Sequence, residues 1–178
     1  MPWIKMISEN DAEGELAEIY SQLIEPWGGV DNIMKIHSLS IDSLKAHMLL
    51  YKTVMYGKSP IKRVHREMIA VVTSAANKCE YWVVHHGKGL FRLTKNQELV
   101  DQLKVDYKKA DITNKEKVML DYSYKLTLFP WSMKKSDVED LTKAGFSDKE
   151  ILDINQIVSY YAYVNRLADG LGVELENI

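Results

Sequence analysis

In the segment Cys79-Glu80-Tyr81-Trp82-Val83-Val84-His85-His86, one cysteine stands seven residues before the second of two adjacent histidines. Cys79 is the only cysteine among the 178 residues. The segment has the spacing of a Cys-x-x-Cys pair followed by a histidine, but Trp82 occupies the place of the second cysteine. It therefore has the form of a dithiol redox motif with one thiol missing.

Helix geometry indicates which groups of this segment can touch. On a helix that starts near Lys78, Cys79 falls in the first turn, where free backbone amides and the helix dipole favour a thiolate. Trp82 and His86 share one face, about 6 Å apart along the axis, whereas Cys79 and His86 are separated by roughly 10.5 Å. A group at position 82 could exchange a proton with His86, but Cys79 would need a relay.

Glu67 lies on the preceding helical segment. We expect Asn77 to cap the motif helix and an antiparallel turn around it to fold the two helices together. Glu67 would then face His86, and a carboxylate beside an imidazole is suited to relaying protons.

Capping boxes predict where several helices start. In such a box, a side-chain hydroxyl and an acidic or amide side chain three residues later satisfy free backbone amides. Five positions match: Ser8-x-x-Asp11, Thr94-x-x-Gln97, Thr113-x-x-Glu116, Ser136-x-x-Glu139 and Ser147-x-x-Glu150.

The apolar periodicity predicts an all-α fold of about seven or eight helices. Apolar residues recur at helical spacing between breaks of glycine and proline. The predicted segments are 16–24, 41–55, 61–76, the segment after Asn77, 113–129, 137–144 and 148–168. No long linker divides the chain, so we expect residues 1–178 to form one domain.

Composition excludes several classes of protein. With 46% hydrophobic and 27% charged residues, the chain is neither disordered nor a membrane protein, and a net charge of −2 argues against a nucleic-acid partner. No apolar stretch is long enough to span a membrane, and the N-terminus lacks the pattern of a signal peptide. We therefore expect a cytoplasmic protein without a disulfide framework.

Several motifs together resemble one known family. They are Arg66-Glu67-Met68-Ile69-Ala70-Val71-Val72 and Asn77-x-Cys79-Glu80-Tyr81-Trp82-Val83-x-His85-His86-Gly87, with flanking matches at 29–39, 56–60 and 165–173. Nearly the whole chain is similar to the alkylhydroperoxidase D-like, or carboxymuconolactone decarboxylase, family, in the branch of uncharacterised peroxidase-related enzymes.

The resemblance implies an all-helical homo-oligomer, either a dimer, a trimer or a hexamer, that reduces hydroperoxides. In the family's reaction the second cysteine attacks the peroxide, the first resolves it as a disulfide, and Glu and His relay protons. By position, Glu67 and His86 match the relay and Cys79 matches the resolving thiol. Trp82 stands where the attacking thiol would be.

We predict Cys79, His86 and Glu67 as catalytic residues, and Trp82, His85 and Tyr81 as residues of the pocket. Trp82 offers a large apolar surface that would fill the space left by the missing thiol. A metal site is not expected, because one thiolate and two adjacent histidines are a poor ligand set. No other cofactor is implied.

Three functions remain open. In the first, Cys79 reduces a small hydroperoxide, and an external thiol then reduces its sulfenic acid. In the second, the chemistry has lapsed and the chain is a binding or structural member of the family. In the third, Glu67 and His86 act without sulfur as acid and base on a small organic acid or lactone.

Overall fold

A computed structural model describes residues 2–176, and within that range the chain is helical, with no β-strand. The helices are α1 Gly14–Ser21, α2 Asn32–Lys35, α3 Ile41–Tyr51, α4 Arg63–Ala76, α5 Glu80–Thr94, α6 Gln97–Asp106, α7 Asn114–Leu128, α8 Lys135–Lys143 and α9 Asp148–Leu171. A π-helical turn, Lys52–Tyr56, continues α3, and short 3₁₀ turns occupy Tyr107–Lys109 and Pro130–Ser132. The predicted all-α fold class is confirmed.

The described chain forms two compact units. One is built from the residues up to Tyr51 together with those that follow Asn165, and the other is Lys52–Asn165. The second unit contains α4 to α8 and the first part of α9. The expectation of one domain over residues 1–178 stays a prediction.

The start of α4 is fixed by a buried arginine. Arg66 donates from its Nε to the carbonyl of Ile61 at 2.9 Å, from Nη1 to that of Val54 at 3.1 Å and from Nη2 to that of Gly57 at 2.9 Å. Buried carbonyls need such partners, because unpaired polar groups are costly away from water. One side chain thus ties the π-helical turn and the following loop to α4.

The junction between α4 and α5 differs from the prediction. Asn77 ends α4 as its C-cap and does not cap α5. Lys78 adopts a left-handed conformation with φ of 61°, which turns the chain sharply. The helix begins at Glu80, two residues after Lys78, and Cys79 is its N-cap and not part of its first turn.

Two of the five predicted capping boxes are present. At α7, Thr113 and Glu116 each accept a hydrogen bond from the other's backbone amide. At α9, Ser147 and Glu150 do the same, at 2.8 and 3.4 Å. In both cases the predicted helix start is confirmed.

The other three boxes do not mark helix starts. Ser8 lies in a turn well before α1 begins at Gly14. Thr94 is the last residue of α5, and Asn96 caps α6 by accepting from the amide of Leu99 at 3.0 Å. Ser136 lies inside α8. The hydroxyl of Ser8 donates to Asp11, and that of Thr94 donates to the carbonyl of Leu90, so neither caps a helix.

Two histidines are buried together in the first unit. Nδ1 of His47 lies 2.6 Å from Nε2 of His37, and their rings meet edge to face. Burial lowers the pKa of His37, and burial together with the charge of His37 lowers the pKa of His47 to about 3. The pair is therefore held without charge near neutral pH.

Within residues 2–176, no helix is both long enough and apolar enough to cross a membrane.

Candidate functional site

The two residues of the predicted proton relay lie on adjoining helices of the second unit. Glu67 lies on the buried face of α4, and His86 lies in the middle of α5, which packs against α4. Oε2 of Glu67 is 2.5 Å from Nδ1 of His86, and both side chains are buried. The structure therefore brings together the two residues that the sequence pairs.

Tyr161 of α9 extends this pair into a chain of three groups. Its hydroxyl lies 2.8 Å from Nε2 of His86, and its ring meets the imidazole edge to face at a centroid distance of 4.7 Å. Tyr161 is completely buried. Glu67, His86 and Tyr161 thus form one hydrogen-bonded network, which we call the relay.

Arg63 holds the other oxygen of the carboxylate. It lies one turn before Glu67 on α4 and donates to Oε1 from Nε, at 2.8 Å, and from Nη2. Nη1 donates to the carbonyl of Met55 at 3.1 Å, and the guanidinium stacks 3.7 Å from the ring centroid of Tyr56. The arginine is thereby fixed on three sides.

These contacts set the charge of the carboxyl group. Burial raises the pKa of Glu67, but the charge and hydrogen bond of His86, followed by those of Arg63, outweigh it, so the pKa is lowered from its ordinary value. Burial works against the charged form of Arg63, yet the charge of Glu67 raises the pKa of Arg63 above its usual value. Glu67 is therefore ionised at neutral pH.

Trp82 covers the relay from the side. Its indole stacks on the imidazole of His86 at a centroid distance of 5.2 Å and an interplanar angle of 18°. It also meets the ring of Tyr161 edge to face at 5.8 Å. The indole Nε1 is buried and has no hydrogen-bond partner among residues 2–176. Trp82 thus packs against the imidazole of His86 as a large apolar wall.

Cys79 is the predicted catalytic residue with the least access. Its thiol is 0% exposed and donates to the backbone carbonyl of Asn165 at 3.9 Å. Its backbone amide donates to the carbonyl of Ser74 at 3.0 Å. The sulfur is therefore enclosed by the end of α4 and by α9, and a peroxide could reach it only after a local opening.

The remaining predicted pocket residues lie near the start of α5. Tyr81 is buried, and its ring stacks on that of His85 at 4.4 Å between centroids. Tyr81 also meets Trp82 edge to face at 5.3 Å. These three residues form an aromatic cluster beside the relay.

A pocket of about 350 Å³ opens onto Glu67 between α4, α5 and the π-helical turn. Its wall includes Glu67 but neither His86 nor Tyr161. Gly89 of α5 lines the pocket, and a Cβ atom at that position would lie 3.1 Å from Oε2 of Glu67. The absence of a side chain at Gly89 therefore leaves space against the carboxylate, which is itself only 1% exposed.

The network accounts for the hydrogen-bonding atoms of the relay. An ionised carboxylate only accepts, so Nδ1 of His86 carries a proton, and Nε2 faces the hydroxyl of Tyr161. Oε1 of Glu67 accepts two hydrogen bonds from Arg63, whereas Oε2 accepts only from His86 among the described residues and keeps one lone pair as an acceptor. The arrangement is suited to holding and moving protons.

The sequence predicts only some of the residues of this site. The pairing of Glu67 with His86 follows from the motif spacing and from antiparallel helices. Tyr161 is distant in sequence and lies in a run of tyrosines with the pattern of a core helix. Arg63 carries a weak signal, because it stands four residues before a buried acid on the same helix face.

Comparison with known proteins gives a family and a fold. The model of the carboxymuconolactone decarboxylase family matches residues 42–103, which include Glu67, Cys79 and His86. No curated protein matches the sequence significantly.

Three solved structures are similar over nearly the whole chain. An uncharacterised peroxidase-related protein from Silicibacter sp. TM1040 is 30% identical, with a TM-score of 0.87 over 97% of this chain and 94% of that one. An uncharacterised peroxidase-related protein from Ralstonia eutropha JMP134, described as an alkylhydroperoxidase AhpD core, is 28% identical, with a TM-score of 0.90 over 99% and 93%. The debrominase Bmp8, in complex with 2,3,4-tribromopyrrole, is 18% identical and shares the fold, with a TM-score of 0.81 over 99% and 95%.

Proposed function

Because the chain belongs to the carboxymuconolactone decarboxylase family, we propose that it is an enzyme that transfers protons to and from a small molecule through the relay of Glu67, His86 and Tyr161. The observation that carries this proposal is the unbroken chain of hydrogen bonds from the pocket wall to Tyr161. None of its steps needs a thiol.

In this proposal Glu67 is the group that meets the substrate, because it is the member of the relay that lines the pocket. Its carboxylate is ionised and can accept a proton from an acidic C–H or O–H bond. His86 stabilises the charge of the carboxylate, and the hydroxyl of Tyr161 holds the imidazole in one orientation. The reaction class is proton transfer in a small organic acid, lactone or related carbon acid.

The buried position of the relay supports this role. Hydrogen bonds to a charged group are stronger in a water-poor environment, and groups held by packing need no rearrangement during the reaction. Trp82 excludes water from one face of His86. Arg63 keeps the carboxylate ionised and fixes its plane.

Deuterium exchange tests this proposal at a single step, the removal of a proton from carbon. A panel of small lactones, β-keto acids and unsaturated acids would be incubated with the enzyme in D₂O and followed by proton NMR. We expect at least one compound to exchange or react, and Glu67→Gln to slow it by about 100-fold or more, the usual contribution of a general base. A reaction that Glu67→Gln carries out at the full rate contradicts the proposal.

A second candidate is thiol-dependent hydroperoxide reduction. It is favoured by the two similar peroxidase-related proteins and by the position of Cys79 at the start of α5, where backbone amides favour a thiolate. The thiolate would attack the O–O bond, forming a sulfenic acid and releasing an alkoxide, which takes a proton from water and leaves as an alcohol. Two equivalents of an external thiol would then regenerate Cys79, form a disulfide between themselves and release water.

Mass spectrometry with a sulfenic-acid trap decides on this second candidate. The native protein and a Trp82→Cys variant would be treated with cumene hydroperoxide and then with the trap. Because Cys79 is enclosed, we expect the native protein to remain unlabelled and the variant to react at the new cysteine, which lies one turn from His86. Rapid labelling of Cys79 in the native protein, with turnover that Cys79→Ser abolishes, favours the thiol peroxidase instead.

The third hypothesis, that the chain has lost its catalytic activity, predicts a different result in both assays. A chain without activity would consume no hydroperoxide above a heat-denatured control and would leave the whole carbon-acid panel unchanged. Activity in either assay excludes it.

A further inference from the structure

The charged residues that line the pocket beside Glu67 are mainly cationic. Among the described residues of its wall, three carry a guanidinium, namely Arg63, Arg66 and Arg92, and Glu67 alone carries a carboxylate. Such a wall attracts anions, because apolar surroundings strengthen the interaction of fixed charges with a ligand.

The three arginines differ in what they already bind. Arg63 is engaged by Glu67, Met55 and Tyr56, as described above. Arg66 is buried and donates to three backbone carbonyls. Neither can turn toward a ligand without breaking these contacts.

Arg92 is different. It is exposed at the pocket rim, and its guanidinium has no hydrogen bond or ion pair with any described residue between 2 and 176. It lies three residues after Gly89 on α5, so both residues belong to the same helix face. Its planar fork of N–H groups matches the geometry of a carboxylate.

The rest of the wall fits the body of a small organic molecule. Met55, Leu93 and the ring of Tyr56 contribute apolar surface between the charged groups. The volume of about 350 Å³ is at the small end of ligand pockets. Arg92 and Glu67 line the same pocket, so that one ligand can meet both groups.

We propose that this pocket binds a small organic acid with an apolar body, and that Arg92 anchors its carboxylate while the reacting atom faces Glu67. This inference rests on the proposed proton-transfer function and adds to it the residue that recognises the charge of the substrate. Arg92 is then the residue that determines specificity for an anionic substrate. The pairing of Glu67 with Arg63 keeps the two carboxylates from repelling each other strongly.

Binding of sodium benzoate, with benzamide as its neutral counterpart, tests the proposal directly. Titrations would be followed by two-dimensional NMR of the full chain, with the shifts of Gly89 and Leu93 amides as reporters of the pocket. We expect benzoate to bind at least about fivefold more tightly than benzamide, as one charge-assisted bidentate contact at a partly exposed site allows. Added sodium chloride should reduce the preference by screening.

Substitutions on α5 test whether Arg92 is the residue that binds the carboxylate of benzoate. Arg92→Gln should abolish the preference for benzoate, Arg92→Lys should retain part of it, and Lys88→Gln, an exposed cation on α5 that does not line the pocket, should leave it unchanged. Equal binding of benzoate and benzamide overturns the proposal, as does an unchanged preference in Arg92→Gln. An absence of saturable shifts at Gly89 and Leu93 overturns it as well.

The Glu67→Gln variant distinguishes a failure of the anion site from a failure of the proposed proton-transfer function. Glu67→Gln should still bind benzoate through Arg92, because the carboxylate of Glu67 does not contact the anion in this arrangement. Benzoate binding with no loss of carbon-acid turnover in Glu67→Gln supports the anion site and contradicts the proton-transfer function. Turnover that depends on Glu67 without any preference for benzoate contradicts the anion site alone.

Discussion

Among single residues, His86 is the centre of the site, since it connects a carboxylate and a phenol. Glu67 occupies its Nδ1 and Tyr161 its Nε2, at 2.5 and 2.8 Å. An imidazole with both nitrogens bonded has one orientation and one tautomer for a given charge. The phenol of Tyr161 is therefore a positioning group for the relay.

Removal of that hydroxyl tests its role. We expect Tyr161→Phe to lower kcat/KM by about 10- to 100-fold, the usual effect of losing a partner that orients a histidine. The loss should be accompanied by a change in the ¹⁵N chemical shifts of the His86 ring, which a merely structural role would not produce. Tyr163→Phe, a partly exposed phenol on the same helix, is the control. An unchanged nitrogen spectrum in Tyr161→Phe contradicts the positioning role.

Gly89 gives a second test at the level of one residue. A methyl group there would lie 3.1 Å from Oε2 and 3.2 Å from Cδ of Glu67, closer than ordinary packing. We expect Gly89→Ala to lower turnover by at least about tenfold, because the added methyl group would take the space between the pocket and the carboxylate. Folding should be little affected, since alanine favours a helix over glycine by about 1 kcal/mol.

Gly170→Ala is the matched control for this substitution. Gly170 is also in a helix, but an added Cβ there meets nothing within 4 Å. It should stabilise the protein slightly and leave turnover unchanged. Full activity of Gly89→Ala would contradict access to Glu67 through the pocket.

Individual residues also indicate what sequence can predict. The Glu67–His86 pair could be predicted, because both residues follow helical spacing on adjacent segments. Tyr161 could not, since nothing in a run of tyrosines distinguishes a core phenol from one that bonds a histidine. The role of Arg92 depends on the shape of a pocket, which periodicity does not describe.

Among the helices and their connections, the entry into α4 depends on Arg66. Its three hydrogen bonds go to carbonyls of the π-helical turn and the loop that follows. The π-helical turn supplies Met55 and Tyr56, which hold Arg63. The geometry of the site therefore depends on a structural arginine that takes no part in the chemistry.

We expect Arg66→Lys to destabilise the protein by about 2–4 kcal/mol, because the donors of an ammonium lie on one nitrogen and cannot reach the three carbonyls that bond to three different nitrogens of the guanidinium. Urea unfolding followed by circular dichroism measures this. Arg92→Lys, at an arginine of the same pocket whose guanidinium bonds to no described residue, should change the free energy of unfolding by less than about 0.5 kcal/mol. Equal stability of the Arg66→Lys variant and the native protein would show that these bonds are dispensable.

Helix boundaries show where sequence patterns are insufficient. The spacing of apolar residues predicts α4, α7 and α9 well, because it reflects burial of one helix face. The start of α5 is shifted, because the left-handed Lys78 allows a tighter turn than a cap at Asn77 would give. A lysine carries no signal for that conformation, unlike glycine or asparagine.

For the molecule as a whole, the buried histidine pair makes stability depend on pH. The pKa of His47 is lowered from 6.5 to about 3, so below pH 6.5 the unfolded chain binds a proton that the folded chain rejects. The contribution of His47 is complete above its unfolded pKa and is lost as the pH falls. Glu67 acts in the same direction, because its lowered pKa stabilises the folded state above the ordinary value of 4.5.

We therefore expect the free energy of unfolding to fall steadily from its value at pH 6.5 as the solution is acidified. Urea titrations at a series of pH values measure the slope. A His47→Leu variant should lose a large part of the slope between about pH 5 and 6.5, where carboxylates contribute little, and the buried His37 should account for the rest. A slope in that interval that does not differ between His47→Leu and the native protein contradicts the assignment.

The central proposal is that the relay of Glu67, His86 and Tyr161 catalyses the reaction and that the thiol of Cys79 is not required. The most decisive experiment compares kcat/KM of Glu67→Gln and Cys79→Ser, for one reactive compound, with that of the native protein. We expect a loss of about 100-fold or more in Glu67→Gln and a change of no more than about twofold in Cys79→Ser. Full loss in Cys79→Ser with retained activity in Glu67→Gln would contradict the proposed role of the relay.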